Sequence, residues 1–235
     1  QYAKKFLEES SWEKGKEIER TIKPPLELPF DNTGKIIHLP EPDLLKEHYV
    51  NFLEMVELRS TIRKYSSEPI TLNDLSYLLW CTQGVKAANQ DITLRTVPSA
   101  GAAHSIETYI LVNNVENLED GVYRFLAIEH ALAAVPADIK KVSDCFSTYG
   151  VVKNSAVTFI WSTVIQRLAY RFGARAYRYG FIGAGHICQN LYLSAQTLGI
   201  GVCPLGAFDD NKINTALGFN EEEQFVVYGA AAGKR

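Results

Sequence analysis

A layered α+β domain is the architecture this sequence predicts, and three observations predict it. Helix-period apolar stripes are interleaved with short β-branched and aromatic runs that do not alternate polar with apolar residues, the pattern of strands buried on both faces. The longest helical stretch, Tyr177 to Leu198, is apolar nearly all round, which gives it a central place. The chain has 235 residues, 46% of them hydrophobic and 22% charged, so it can bury a sizeable core as one large domain or two small ones.

Residues 1–43 differ from the rest. They are charged, then punctuated by Pro24, Pro25, Pro29, Pro40 and Pro42, and read as an arm over the domain or a partner subunit, with a partly disordered tail as the alternative. The domain proper spans 44–235. Leu45, Tyr49, Phe52, Leu53 and Val56 stripe a helix from Leu44 to Arg59. Thr71-Leu-Asn-Asp74 has the form of a capping box, so a second helix follows through Leu75, Leu78, Leu79 and Trp80 and stops near Gly84. Thr108 to Val112 reads as a strand, and Val122 to Phe125 with Ala131 to Val135 as a hairpin around Ile128 to His130. Ala137 to Phe146 is expected to be helical and Ala156 to Trp161 a fully buried strand. After the long helix come a turn or short strand at Gly201 to Phe208, a helix at Asp209 to Leu217, and a last strand at Phe225 to Ala231. There is no internal repeat and no low-complexity segment.

Several function classes are excluded or disfavoured. A net charge of −3 supplies no global field for nucleic acid or an anionic membrane, so any anion site must be local. The longest apolar run, Ala156 to Ile165, is too short to span a bilayer, and no signal-peptide pattern is present. The chain opens on Gln1 rather than Met, so an upstream segment is expected. Cys81, Cys145, Cys188 and Cys203 form no CxxC pair and sit in apolar surroundings, as reduced thiols of a cytosolic protein do. The five histidines show no HxxxH spacing, so no metal site is expected; His186 and Asn190, four apart on the long helix, read as a mutually satisfied pair.

Tyr179 to Leu191, YGFIGAGHICQNL, imitates a dinucleotide fingerprint, with Gly183 and Gly185 as GxG and Asp209 downstream. The third glycine position holds Cys188, and too little chain follows Asp209 for further βαβ units. Gly180, Gly183 and Gly185 instead suit close packing of another backbone, and a homo-oligomeric seam could supply it.

RSTIRKY, Arg59 to Tyr65, poses a different question. Arg59 and Arg63 carry like charge four residues apart, and no acid stands three or four positions from either. If the segment is extended, Arg59, Thr61 and Arg63 share one side. An external anion would neutralise them. Three other pieces belong in the same picture: PSAGAAHSIETY from Pro98 to Tyr109, LGIGVCPLGAFDD from Leu198 to Asp210, and the cationic end Gly233-Lys234-Arg235.

In this order and spacing these pieces resemble the FMN-dependent nitroreductase superfamily, and within it the branch of thiazole/oxazole-forming peptide dehydrogenases. The resemblance runs from about Met55 to Arg235 and includes ITLNDLSYLLWCTQG and RAYRYGFIGAGHICQNLYLSAQTLGIG. It implies a nitroreductase-like fold, a mainly antiparallel central sheet flanked by helices around a long buried helix, and a homodimer with FMN at the subunit interface. Arg59, Ser60, Thr61 and Arg63 fall on the motif that meets the FMN phosphate, ribityl chain and pyrimidine edge, with Thr61 in place of the commoner serine. Pro98, Ser99, Ala100, Gly101 and Ala102 match the loop beside the isoalloxazine ring, where many members carry asparagine at the position of Ala102. Leu205, Gly206 and Ala207 match the segment whose N–H groups reach flavin N5 and O4, and Lys234 and Arg235 match a basic pair on the phosphate; a frayed terminus is the competing reading of that pair. Gly183 stands where an acidic residue is frequent. His104 reads either as a polar group over the flavin or as a structural histidine, the second being favoured. No catalytic side chain is implied, since the flavin carries the chemistry. NAD(P)H is the implied reductant, exchanging with a small or peptide-borne second substrate in ping-pong order. A flavin-storing protein and a Rossmann-type nucleotide binder are the alternatives.

Overall fold

The computed structural model describes residues 2–16, 23–30, 33–42 and 50–235. In chain order its elements begin with α1 (Tyr2–Glu9), β1 (Ile36–His38), α2 (Phe52–Leu58) and α3 (Leu72–Gln83). Next come β2 (Val85–Ala88), β3 (Thr93–Arg95), β4 (Ile106–Val112), β5 (Gly121–Leu126) and β6 (Ala131–Val135). Then follow α4 (Ile139–Ser143), α5 (Tyr149–Asn154), β7 (Val157–Val164), α6 (Gln166–Phe172) and α7 (Ala176–Thr197). The chain ends with β8 (Ile200–Leu205), α8 (Asp210–Leu217) and β9 (Gln224–Lys234).

Seven strands form one sheet in the order β1-β6-β5-β4-β7-β9-β8, with every neighbouring pair antiparallel. The expected α+β layering holds. Leu75, Leu78 and Leu79 of α3 and Ala184, Ile187 and Leu191 of α7 pack on one face of the sheet. Val142, Val152, Ile213 and Leu217, from α4, α5 and α8, pack on the other. β4 shows why the strands carry no polar alternation: Ile110 and Val112 point into the first core, Tyr109 and Leu111 into the second. Burial on both faces leaves no solvent side to encode.

Local signals are realised where the chain satisfies them within a few residues. Thr71 accepts from Asp74 N and the Asp74 carboxylate accepts from Thr71 N, so α3 starts on a complete capping box and ends at Gly84. β5 and β6 pair as the hairpin. Asp209 caps α8 through Lys212 N, and Gly218 closes it at φ 73°.

Other expectations are corrected. Residues 44–49 of the expected Leu44–Arg59 helix lie outside the described residues. The described part starts afresh, because Asn51 has extended backbone and caps α2 at Leu53 N and Glu54 N. Its stripe faces solvent, Phe52 being 68% and Leu53 64% exposed. The helix expected at 137–146 is shortened to Ile139–Ser143 because Asp138 caps it at Lys141 N. The GxG pair lies inside α7, with no strand before it. α7 buries one face only and leaves Phe181, Ile182 and His186 exposed. Asn190 donates to the Cys81 carbonyl, 3.0 Å away, rather than pairing with His186. All four thiols are free.

Part of the arm is firmly docked. Arg124 donates to the carbonyls of Leu28 (2.6 Å) and Pro29 (3.0 Å), and Arg167 Nε donates to the Pro25 carbonyl at 2.8 Å. Both arginines converge on Glu107, buried on β4: Arg167 NH2 lies 2.7 Å and Arg124 Nε 3.5 Å from its carboxylate.

Candidate functional site

The RSTIRKY segment lies along the β8 edge. Thr61 bridges Val202 in parallel, and Ile62 N donates to the Val202 carbonyl at 2.9 Å. Only glycine fits beneath it: a Cβ on Gly201 would meet Ile62 at 2.6 Å, and one on Gly233 would meet Tyr65 at 2.9 Å. This passage covers an otherwise unpaired strand edge and leaves Ser60, Arg63 and Lys64 exposed. Arg59 is half-buried with its guanidinium 5.0 Å from the centre of the Tyr192 ring, and Thr61 Oγ1 lies 2.6 Å from Tyr192 Oη. Arg63 is exposed and stands beside the Cys203 thiol; burial pushes that thiol up, and Arg63 opposes the shift. Among the described residues, neither arginine meets a carboxylate.

Down β8 from this point the backbone reaches Gly206 and Ala207, both exposed. Among the described residues, their N–H groups donate to no protein acceptor, whereas the Ala207 carbonyl is taken by Ser147 N at 2.9 Å. Tyr228 borders Gly206 and packs against the core cluster that contains Cys188 of α7. Burial pushes the Cys188 thiol up to about 12, so it stays protonated and inert. Tyr192, Cys188 and Tyr228 thus join the arginine segment to Gly206. No sequence signal marks these three residues, since on a helix and a strand they read as core.

At the chain end, Lys234 is the last residue of β9, level with Ile200, not a frayed tip. Its ammonium lies 3.2 Å from Asp74 and 3.4 Å from the Leu198 carbonyl. Arg235 is exposed and reaches Gln196.

The Pro98–Ala102 loop lies elsewhere. Gly101, Ala102 and His104 all have positive φ (58°, 52° and 42°), a cluster of left-handed conformations that must be held by contacts. Ser99 Oγ accepts from His104 N, Arg171 donates to the Gly101 carbonyl at 2.9 Å, and Arg167 to the His104 carbonyl at 3.2 Å. Burial, then Arg95, depress the His104 imidazole to about 4, so it is neutral at pH 7. Ala100 and Ala103 pack with Phe172 and Tyr179 at the N-terminal end of α7. Tyr179 precedes Tyr192 by thirteen residues, about 20 Å along the helix axis at 1.5 Å per residue. Within one chain, therefore, the structure groups Arg59, Ser60, Thr61 and Arg63 with Leu205–Ala207 and the Lys234 end, and keeps Pro98–Ala102 apart.

Residues 56–234 match the model of the nitroreductase family. The chain belongs to that family. A protein of Methanocaldococcus jannaschii, provisionally named a nitroreductase, is 29% identical over 195 residues, covering 80% of this chain and 93% of that one. The trifolitoxin-processing protein TfxB of Rhizobium leguminosarum bv. trifolii is 30% identical over 113 residues, 45% of this chain and 30% of TfxB. Among solved structures, a nitroreductase-like protein of Ralstonia eutropha superposes with a TM-score of 0.71 at 21% identity, over 92% of this chain and 96% of that one. The Escherichia coli microcin synthetase McbBCD, with truncated pro-MccB17 bound, gives 0.63 at 18% identity, over 81% and 76%. A nitroreductase-like protein of Desulfovibrio desulfuricans in complex with FMN gives 0.57 at 14% identity, over 79% and 87%. These likenesses establish the nitroreductase fold for the chain. Among the described residues, no helix is long and apolar enough to cross a membrane, and no cluster of His, Cys, Asp and Glu could hold a metal ion.

Proposed function

We propose that this nitroreductase-family chain is an FMN-dependent oxidoreductase, moving hydride between NAD(P)H and a small or peptide-borne second substrate. The observation that carries this reading is the pair Arg59 and Arg63, held at a strand edge without a carboxylate partner among the described residues. The donor set fits FMN: guanidinium groups and a hydroxyl suit the phosphate, and the free N–H groups of Gly206 and Ala207 suit the acceptor edge of a flavin. The FMN complex of the Desulfovibrio protein supports the cofactor, and TfxB and the microcin synthetase support a peptide-borne substrate.

When bound, FMN supplies reversible two-electron chemistry. The protein's own residues bind and orient. Arg59, Ser60 and Thr61 take the phosphate end. Arg63, further along β8, brings positive charge toward the ring. The small residues Gly206 and Ala207 let backbone donors approach closely. No side chain in this group has the burial and charge partner of a general acid or base. Reductant and acceptor use one open face in turn, so initial-rate lines should be parallel.

The Pro98–Ala102 loop completes the site only from a second copy. The exposed apolar residues of α2 (Phe52, Leu53, Val56) and α7 (Phe181, Ile182) support a homodimer in which one chain's loop meets the other's arginines.

The test is the visible absorbance spectrum of the purified protein before and after denaturation, followed by anaerobic addition of NAD(P)H. Released FMN and bleaching are expected. A colourless protein that takes up no added FMN refutes the cofactor, and bound flavin that does not bleach refutes the enzyme in favour of a storage role.

A further inference from the structure

We propose that Tyr192 is a positioning residue that makes the site prefer a phosphorylated flavin over an unphosphorylated one. The inference rests on the FMN reading and assigns a part of it to a side chain that no motif contains.

α2 cannot hold Arg59 by itself. It has seven residues, none of them buried, and Arg59 is its C-cap. A free arginine side chain carries large rotamer entropy, which binding must remove. Tyr192 removes part of it in advance. The residue is 9% exposed and rooted in α7, which packs on the sheet through Ile187, Cys188 and Leu191. Its ring lies under the guanidinium of Arg59, and its hydroxyl meets that of Thr61. One rigid side chain therefore orients two donors that arrive on a segment outside the sheet's named strands.

The chemistry of the hydroxyl pair points outward. Burial pushes the Tyr192 phenol up, with Thr61 and Arg59 pulling it down less strongly, so it keeps its proton at neutral pH. With Tyr192 as donor, Thr61 accepts through one lone pair and its own proton is free for an anion.

Register decides which end of the flavin this serves. Thr61 is level with Val202, and Lys234 with Ile200, so Arg59, Thr61 and the cationic chain end share one end of β8. The ring-facing segment starts at Leu205, three residues beyond Val202, about 10 Å away at strand rise. Tyr192 thus acts on the phosphate end and not on the ring.

The experiment measures FMN and riboflavin affinity of wild-type, Tyr192→Phe and Thr61→Val proteins and the double variant. Tyr192→Phe keeps the ring and volume, so the fold is retained. The expected result is FMN binding weakened about three- to tenfold, the scale of one neutral hydrogen bond, with riboflavin affinity unchanged. Tyr192→Phe should add nothing in the Thr61→Val background. Equal weakening of both flavins, or full additivity of the two substitutions, overturns the proposal while leaving the FMN reading intact. A wild-type protein that binds neither flavin removes the reading and the proposal together.

Discussion

Two of the regions where this molecule gathers arginines hold them in opposite ways. Around Glu107, Arg95, Arg124 and Arg167 are each buried, at 6% exposure or less, and every one is tied to fixed acceptors. Arg95 donates to Thr93 and Gln83; Arg124 and Arg167 share the Glu107 carboxylate and the carbonyls of the arm. At the β8 edge, Arg59 and Arg63 are half-buried or exposed, and their protein contacts are a tyrosine ring and a thiol. The difference teaches how to separate structural from ligand-binding cations. A buried guanidinium is held by a protein carboxylate and carbonyls that offset its charge and take most of its donors, whereas one left at an open edge without an acid keeps its donors for something else.

Three perturbations break or sharpen that comparison. Glu107→Ala should have the largest effect. It strands two buried guanidinium groups, and removing one partner of a buried ion pair costs about 3–5 kcal/mol. A urea titration checks it; a near-wild-type midpoint would mean that the cluster is not structural. Arg59→Ala should do the reverse, leaving stability nearly unchanged and lowering FMN affinity on the order of 10- to 100-fold, the range of one charge-assisted hydrogen bond. Undiminished FMN occupancy in that variant would refute the cradle.

The smallest effect is in pH dependence, and it belongs to the buried cluster. Burial, then Glu107, then Glu129 push the Glu27 carboxyl up to about 7 from 4.5. Folding therefore binds a proton there, and the stability this supplies is present below about 4.5 and lost as pH rises through about 7. His104 has the opposite sign. Its imidazole stays neutral down to about 4, so its contribution is present above 6.5 and lost as pH falls toward about 4. The two overlap and partly cancel. Glu27→Gln removes the first, so stability should rise more steeply from about pH 5 to 7, by up to about 1.4 kcal/mol per pH unit. Denaturation midpoints across that range read the slope, and a slope equal to that of wild type would show that Glu27 titrates as if exposed.

The arm illustrates why part of the fold was not legible. Glu27 accepts from Ala127 N at 2.7 Å, and Arg167 reaches Pro25 across 142 residues of sequence. Nothing near Pro24 and Pro25 in the chain announces partners so distant, so a tail and a docked arm read alike. The β2–β3 hairpin was missed for a related reason. It is two short strands with a register shift, and Lys86, Ala88 and Leu94 lie exposed, so neither a clean alternation nor a buried run marks it. α2 erred the other way: its apolar stripe is real in the sequence, but among the described residues Phe52, Leu53 and Val56 remain exposed.

By itself, the sequence determined what depends on neighbours a few positions away. The Thr71–Asp74 box, the β5–β6 hairpin, the long apolar helix and the absence of acids beside Arg59 and Arg63 are all of this kind. Tertiary structure alone decided the rest. It set RSTIRKY against Val202, placed Tyr192 under Arg59, and parted the Pro98–Ala102 loop from the arginines along α7. Those pairings join residues from well separated parts of the chain. They follow from how the sheet and its two helical layers exclude water together, a collective condition that no local window contains.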